Sequence, residues 1–271
     1  MELSQVSTNS KSTQAFAKYV GAGNDFIIID DRSLQFSIDP VRIAHLCHRQ
    51  NGIGADGLIL LQPSHKAHYT MRIFNCDGSE AEMCGNGLRC LGQFLIDTHL
   101  FKNPTSIEID QSLLSIEYQN EQIITHLGNI LSSEWDIDLK LQNQNISCHL
   151  LNTGVPHAVV ITDDTNLIHK LGSQIRFHPS FAPHGANATF VTPSQPHLVS
   201  TYERGVEKVT LACGTGVAAA AIALAKNKKV SCPAQLTTPS GDILSVTFKE
   251  NYDQITLAGP AHRVFVGEIT Y

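Results

Sequence analysis

Short runs of β-branched and leucine residues at 27–29, 58–61, 159–161 and 189–191 each follow a turn containing glycine, the pattern of a strand entered from a tight loop. Further strands are expected at 69–74 and 209–211, and stretches at 88–95 and 217–226 read as helices. Segment 128–147 is polar and reads as a connection, and the first fifteen residues read as a loose polar tail. The alternation of strands and helices predicts an α/β protein.

These elements recur in the same order in each half of the chain. Gly21-Ala-Gly-Asn-Asp-Phe is matched by Gly154-Val-Pro-His-Ala, Gly54-Ala-Asp-Gly by Gly185-Ala-Asn-Ala, and Met83-Cys-Gly-Asn-Gly by Ala212-Cys-Gly-Thr-Gly. The offsets, Gly21 to Gly154, Gly54 to Gly185 and Cys84 to Cys213, are 133, 131 and 129 residues. Near-equal offsets point to a duplicated unit. Two similar domains are therefore expected, with Cys84 and Cys213 at the starts of facing helices and a site in the cleft between them.

Composition narrows the functions open to such a chain. With 19 Lys and Arg against 25 Asp and Glu, the formal charge is −6, so no basic surface for nucleic acid is expected. The lysines at 226–229 fit a helix C-terminus, where they complement the dipole. The longest apolar stretch, 217–225, is too short to span a bilayer, and the N-terminus lacks a secretory pattern, so a soluble cytoplasmic protein is expected. Seven cysteines without regular spacing read as reduced thiols.

Two cysteines at helix starts suggest a particular chemistry. The unsatisfied N–H groups of a first turn bind a carboxylate, and glycine lets the backbone approach it. The same positive field is expected to lower the thiol pKa and favour thiolate. One sulfur on each side of an amino acid's α-carbon would form an acid and a base in opposed positions, able to invert that centre. Donors aimed at the carboxylate would stabilise the carbanion, each worth about 2.7–4 kcal/mol. Pyridoxal phosphate is then not needed, and no cofactor or metal is expected.

In order along the chain stand Gly23-Asn-Asp-Phe, Gly52-Ile-Gly-Ala-Asp-Gly, Phe74-Asn-Cys-Asp-Gly-Ser, Met83-Cys-Gly-Asn-Gly-Leu-Arg-Cys, Gly154-Val-Pro-His, Gly185-Ala-Asn, Tyr202-Glu-Arg-Gly and Ala212-Cys-Gly-Thr-Gly. From about Lys18 onward the sequence resembles the diaminopimelate epimerase family. The resemblance implies an isomerase that interconverts LL- and meso-2,6-diaminopimelate, with a role in lysine and peptidoglycan precursor synthesis. It implies two pseudo-symmetric domains, each a curved, mostly antiparallel sheet or barrel around a central helix: residues 16–127 with 264–271, and residues 128–263. A homodimer is implied as well.

By the same resemblance, Cys84 and Cys213 are the acid/base pair. Gly85, Asn86, Gly214 and Thr215 are similar to the loops that bind the α-carboxylate. Asn24, Asn75, Asn187, Glu203 and Arg204 match positions holding the far end of the substrate, and His157 looks like a histidine adjacent to the active site. Family members commonly carry Gln at the position of Gly57, and many carry Asn at that of Val155. The loss of these polar groups suggests relaxed selectivity that extends to glutamate.

Other signals lead less far. Gly52 to Gly57 satisfies G-x-G-x-x-G, but the β-branched run follows it rather than precedes it, so a dinucleotide site is not expected. His45, Cys47 and His48 cannot all face one ion from a helix. Cys76 and Cys90 lie near Cys84 without a C-x-x-C spacing. A proline or hydroxyproline racemase of similar fold remains a rival, although its first thiol loop usually carries His where Asn86 stands. A non-catalytic amino-acid-binding protein is a second rival, one with no need of both thiols.

Overall fold

The computed structural model describes residues 13–81, 83–110 and 112–270; most of the expected N-terminal tail lies outside them. The first half begins with an antiparallel hairpin, β1 (Thr13–Gly21) and β2 (Asn24–Asp30), turned at Gly23 with φ +83°. Helix α1 (Pro40–Cys47) follows, its start fixed by the Asp39 carboxylate accepting from the Val41 N–H at 3.0 Å. Next come β3 (Gly57–Gln62), parallel to β2, then β4 (Tyr69–Asn75), the short β5 (Glu80–Ala81) and helix α2 (Gly85–Asp97). A meander of β6 (Thr105–Ile109), β7 (Ser112–Gln119) and β8 (Gln122–Gly128) completes the half.

The second half repeats this order. After β9 (Ser132–Lys140) come β10 (Asn145–Asn152), β11 (Pro156–Ile161), helix α3 (Leu167–Arg176), β12 (Asn187–Val191), β13 (Val199–Glu203), β14 (Lys208–Thr210) and helix α4 (Gly214–Lys226). The meander is β15 (Ala234–Thr237), β16 (Ile243–Thr247) and β17 (Ile255–Gly259), and the long β18 (His262–Thr270) follows. The polar segment expected to be a simple connection is instead a strand pair: β9 alternates exposed residues with Trp135, Ile137 and Leu139, which pack inward as an edge strand should.

Two sheets result. One runs β15-β16-β17-β8-β7-β6-β4-β3-β2-β1-β18, with β5 on the side of β4, and the other runs β14-β13-β12-β11-β10-β9. Strand β17 pairs antiparallel with β8, so the final strands of the two meanders join the halves. β18 returns to pair with β1 as β9 pairs with β10.

Period-two alternation places side chains on both faces of the central strands. Phe26, Ile28, Ile59 and Leu61 pack with Leu88, Leu91, Phe94 and Leu95 of α2. Ile27, Ile29, Leu58 and Leu60 pack with Ile43 and Leu46 of α1 on the opposite face. In the second half Val159 faces α4, while Ala158 and Val160 face α3. Each large side chain buried this way stabilises the fold by about 1.5–3 kcal/mol. Helix α4 is buried on every side, which its run Ala218-Ala-Ala-Ala221 allows by letting strands approach closely. No helix among the described residues is long and apolar enough to cross a membrane.

Candidate active site

Cys84 and Cys213 occupy equivalent places. Each is the N-cap of a 13-residue helix, in extended conformation (φ −145°, ψ 113° and φ −131°, ψ 106°), so each thiol lies beside the unsatisfied N–H groups of a first turn. The Gly87 N–H donates to Cys84 Sγ at 3.4 Å, and Cys213 Sγ lies 3.5 Å from Thr215 Oγ1. Helices α2 and α4 touch, and each thiol is half-buried. Nothing stands within 4 Å of a Cβ built on Gly85, so the backbone there faces open space. At Gly216 the same Cβ would lie 2.6 Å from Thr201 Oγ1, so only glycine lets α4 seat on β13.

Contrary to the expectation of depressed thiol pKa values, burial wins over the helix ends. It pushes Cys84 upward, against the Gly87 and Asn86 N–H groups and the Arg89 guanidinium, while Glu203 adds to the rise. Burial pushes Cys213 up to about 12; Glu203 and Cys84 push the same way, against Thr215 and the Gly216 N–H. Glu203 thus acts on both sulfurs, and its own carboxyl is raised by burial. In the resting protein both sulfurs are thiols near neutral pH.

Around Cys213 lies a neutral hydrogen-bonded group. His157, fully buried on β11, meets Thr215 Oγ1 through Nε2 at 2.9 Å and Thr189 Oγ1 through Nδ1 at 2.9 Å. Thr189 Oγ1 lies 3.1 Å from Thr201 Oγ1. Burial, helped by Arg204, pulls the His157 pKa down to about 3, which keeps the ring uncharged. Asn187, at the start of β12, accepts the Arg204 N–H at 2.7 Å and approaches His157 Nε2 at 3.4 Å. Among the described residues the Arg204 guanidinium forms no ion pair, and Glu203 has none either. Neither side chain is committed to the other.

On the α2 side, Asn86 Nδ2 donates to Asn24 Oδ1, and Asn24 Nδ2 donates to Asp56 Oδ2 at 3.1 Å. Asn75, exposed at the end of β4, donates to Ser79 Oγ at 3.0 Å. Gly214 and Thr215 form the first turn of α4, which Thr153 ties to the β10–β11 turn by donating to the Thr215 carbonyl at 2.9 Å. The N-termini of α2 and α4 and the ends of β2, β4, β12 and β13 therefore carry all the sequence-derived positions except His157, which lies one residue into β11.

Several residues that shape the site drew no attention in the sequence. Thr189 and Thr201 are unremarkable strand threonines until their register brings them opposite one another beneath α4. Arg89 stands inside Met83-Cys-Gly-Asn-Gly-Leu-Arg-Cys, the one signal that could have singled it out. His45, Cys47 and His48 form no metal cluster; among the described residues there is none. A cavity of about 550 Å³ lies along β4 between Arg72, Glu80 and Asp110 and includes neither thiol.

A duplicated sheet-and-helix unit with one cysteine at the head of each enclosed helix defines a class of two-half α/β proteins. A Bacillus anthracis phenazine biosynthesis protein of the PhzF family shares this fold, with a TM-score of 0.73 at 14% identity over 95% of this chain and 99% of that one. So does a hydroxyproline epimerase from Agrobacterium vitis, with a TM-score of 0.63 at 14% identity over 95% and 92%. The family model for diaminopimelate epimerase matches residues 16–130 and 149–264. The diaminopimelate epimerase of Hydrogenobaculum sp. (strain Y04AAS1) is 38% identical over 275 residues, covering 94% of this chain and 98% of its own. The chain belongs to the diaminopimelate epimerase family and is an enzyme of the isomerase class.

Proposed function

We propose that the protein interconverts LL- and meso-2,6-diaminopimelate by proton transfer between Cys84 and Cys213, without pyridoxal phosphate. The observation that carries this reading is the pair of N-capping thiols at matched ends of two helices that contact one another, with Cys84 near enough to act on the ionisation of Cys213. One sulfur, as thiolate, takes the α-proton, and the opposite thiol returns a proton to the other face. The centre is inverted and the thiol and thiolate exchange places. Gly85, Asn86, Gly214 and Thr215 would hold the α-carboxylate with first-turn N–H groups, where the carbanion's charge collects. Arg204 suits a distal carboxylate and Glu203 a distal ammonium, with Asn24, Asn75 and Asn187 as neutral partners. His157 supports Cys213 through Thr215.

Selectivity is proposed to extend to glutamate. A Cβ on Gly57 would come within 2.5 Å of the Phe74 carbonyl oxygen, so this backbone leaves no room for a longer polar side chain there, and Val155 is apolar. The division into residues 16–127 with 264–271 and 128–263 belongs to the same proposal, as do a cytoplasmic location and a role in lysine and peptidoglycan precursor synthesis. A homodimer is favoured by β18, an edge strand that exposes Val264, Phe265 and Val266.

The test is incubation in heavy water, without added cofactor, with diaminopimelate, glutamate and proline, comparing the intact protein with Cys84→Ala and Cys213→Ala. Deuterium at the α-carbon with inversion, lost in both variants, is the expected result. Exchange confined to proline would favour the racemase reading. Binding without exchange would favour a non-catalytic protein.

A further inference from the structure

Arg89 is the largest of the fully buried side chains, with 0% exposure, and it is unlike every other buried cation in the described chain. Lys18 is paired with Asp25 at 2.8 Å, and Arg176 with Glu207 at 3.0 Å. Arg89 forms no ion pair among the described residues. Its Nη2 donates to Asn86 Oδ1 at 2.6 Å, while Nε and Nη1 find no hydrogen-bond partner among the described residues. An arginine stays protonated in a protein, and a buried guanidinium without a counter-ion costs several kcal/mol. Such a cost points to an anion that is absent from the resting chain.

The position of the guanidinium indicates which anion. It bonds to Asn86 in the first turn of α2, so it adds a full positive charge to the positive end of the helix that Cys84 caps. From the other half, the backbone of Gly259 at the end of β17 closes over it; a Cβ there would stand 3.5 Å from Nε. Being wholly enclosed, Arg89 cannot touch a ligand in the cleft. Resting on the two-thiol reading, we propose that Arg89 is a positioning residue that serves as the standing counter-charge of the Cys84 thiolate and, through Asn86, fixes the turn that carries it.

The groups facing this thiol from each packed element are consistent with that role. Arg89 opposes the rise in the Cys84 pKa, and Glu203 from β13 reinforces it; Cys213 of α4 interacts with it as a second thiol. On Arg89 itself act Cys84, Cys90 and Asp242, and the Asp242 carboxylate is already taken by Ser240 Oγ at 2.8 Å. Ionising Cys84 would therefore supply the missing partner, and two charges each penalised by burial would offset one another.

The test measures ionisation directly, without substrate. In a Cys213→Ala background, the rate of Cys84 alkylation by iodoacetamide is followed against pH by peptide mass spectrometry. Arg89→Gln keeps a donor for Asn86 and removes the charge, whereas Arg89→Lys keeps the charge. The Gln variant is expected to raise the Cys84 midpoint by about one pH unit or more, tenfold less thiolate at a given lower pH, and Lys to hold it within a few tenths. A Gln variant that titrates like its parent, or a Lys variant shifted as far as Gln, overturns the proposal. So does a Gln variant that fails to melt cooperatively while Lys folds, because an unpaired buried charge is dispensable for stability. Wild-type protein that exchanges no α-proton from any amino acid would instead defeat the epimerase reading and leave the alkylation result standing.

Discussion

The turn that carries Cys84 and the turn that carries Cys213 share a backbone and differ in what lies beneath them. Ile59 on β3 pairs with Ile73 on β4, and at the matching register Thr189 on β12 pairs with Thr201 on β13. The first pair seats α2 on an apolar floor with a lone buried arginine beside it. The second seats α4 on hydroxyls bonded to a neutral histidine. Duplication thus preserves the helix-end donors, which belong to the backbone, while the charge around each sulfur is set independently by side chains. Two thiols in unlike surroundings can divide the labour of acid and base, because environments that differ separate their pKa values.

Removing either sulfur is the most severe way to break the comparison. Cys84→Ala and Cys213→Ala are each expected to lower the inversion rate by about 10³-fold or more, near the range of a lost acid or base. An effect confined to one variant would show that the halves are not partners. The two helices should also respond oppositely to changes of size. Leu91→Ala in α2 opens a cavity and is expected to cost about 2–5 kcal/mol, whereas in α4 it is the enlargement Ala220→Leu that destabilises, by about 1–3 kcal/mol, as read by denaturant melts. For the proposed distal site, Arg204→Met should reduce kcat/KM for diaminopimelate by about 10²-fold, mostly through KM, as expected when the charged partner of the substrate's distal carboxylate is lost. The smallest change probes the polar floor: Thr189→Val leaves His157 Nδ1 unpaired and should cost about 1–3 kcal/mol, while Ile59→Val at the matching place costs about 0.5–1.5.

The pH dependence of stability follows from the same contrast. Cys84 and Cys213 have pKa values raised above an ordinary 9.0, and Cys213 reaches about 12. Their contribution is complete below pH 9 and is lost at higher pH, for Cys213 as pH rises toward 12, because the unfolded chain ionises first. His157 is lowered from 6.5 to about 3, so its contribution is complete above pH 6.5 and lost as pH falls toward 3. Melting curves should therefore show a plateau between about pH 6.5 and 9. His157→Gln should reduce the loss of stability between about pH 6.5 and 3 and leave the alkaline limb unchanged. Because one sulfur must be ionised to work, kcat/KM should still be climbing at pH 9.

Much of this was legible in the chain itself. The glycine turns, the β-branched runs and the repeated Cys-Gly-x-Gly each depend on local backbone needs, so strands at 27–29 and 58–61 and the helices after both cysteines emerged from sequence alone. β9 did not, because an edge strand with one face in solvent is polar enough to read as a linker. The thiol pKa values escape sequence for a related reason: a helix end is visible in sequence, whereas the burial that outweighs it depends on what the other half of the molecule covers.

What the sequence determined alone was the existence of two equivalent units and the identity of the residues at their helix starts, since both are set by short-range pattern. Only the tertiary structure decided that Arg89 is left without a counter-ion among the described residues and that His157 stays neutral among threonines. Ionisation and pairing depend on which groups distant segments bring within a few ångströms, and that proximity exists only once the halves are packed together.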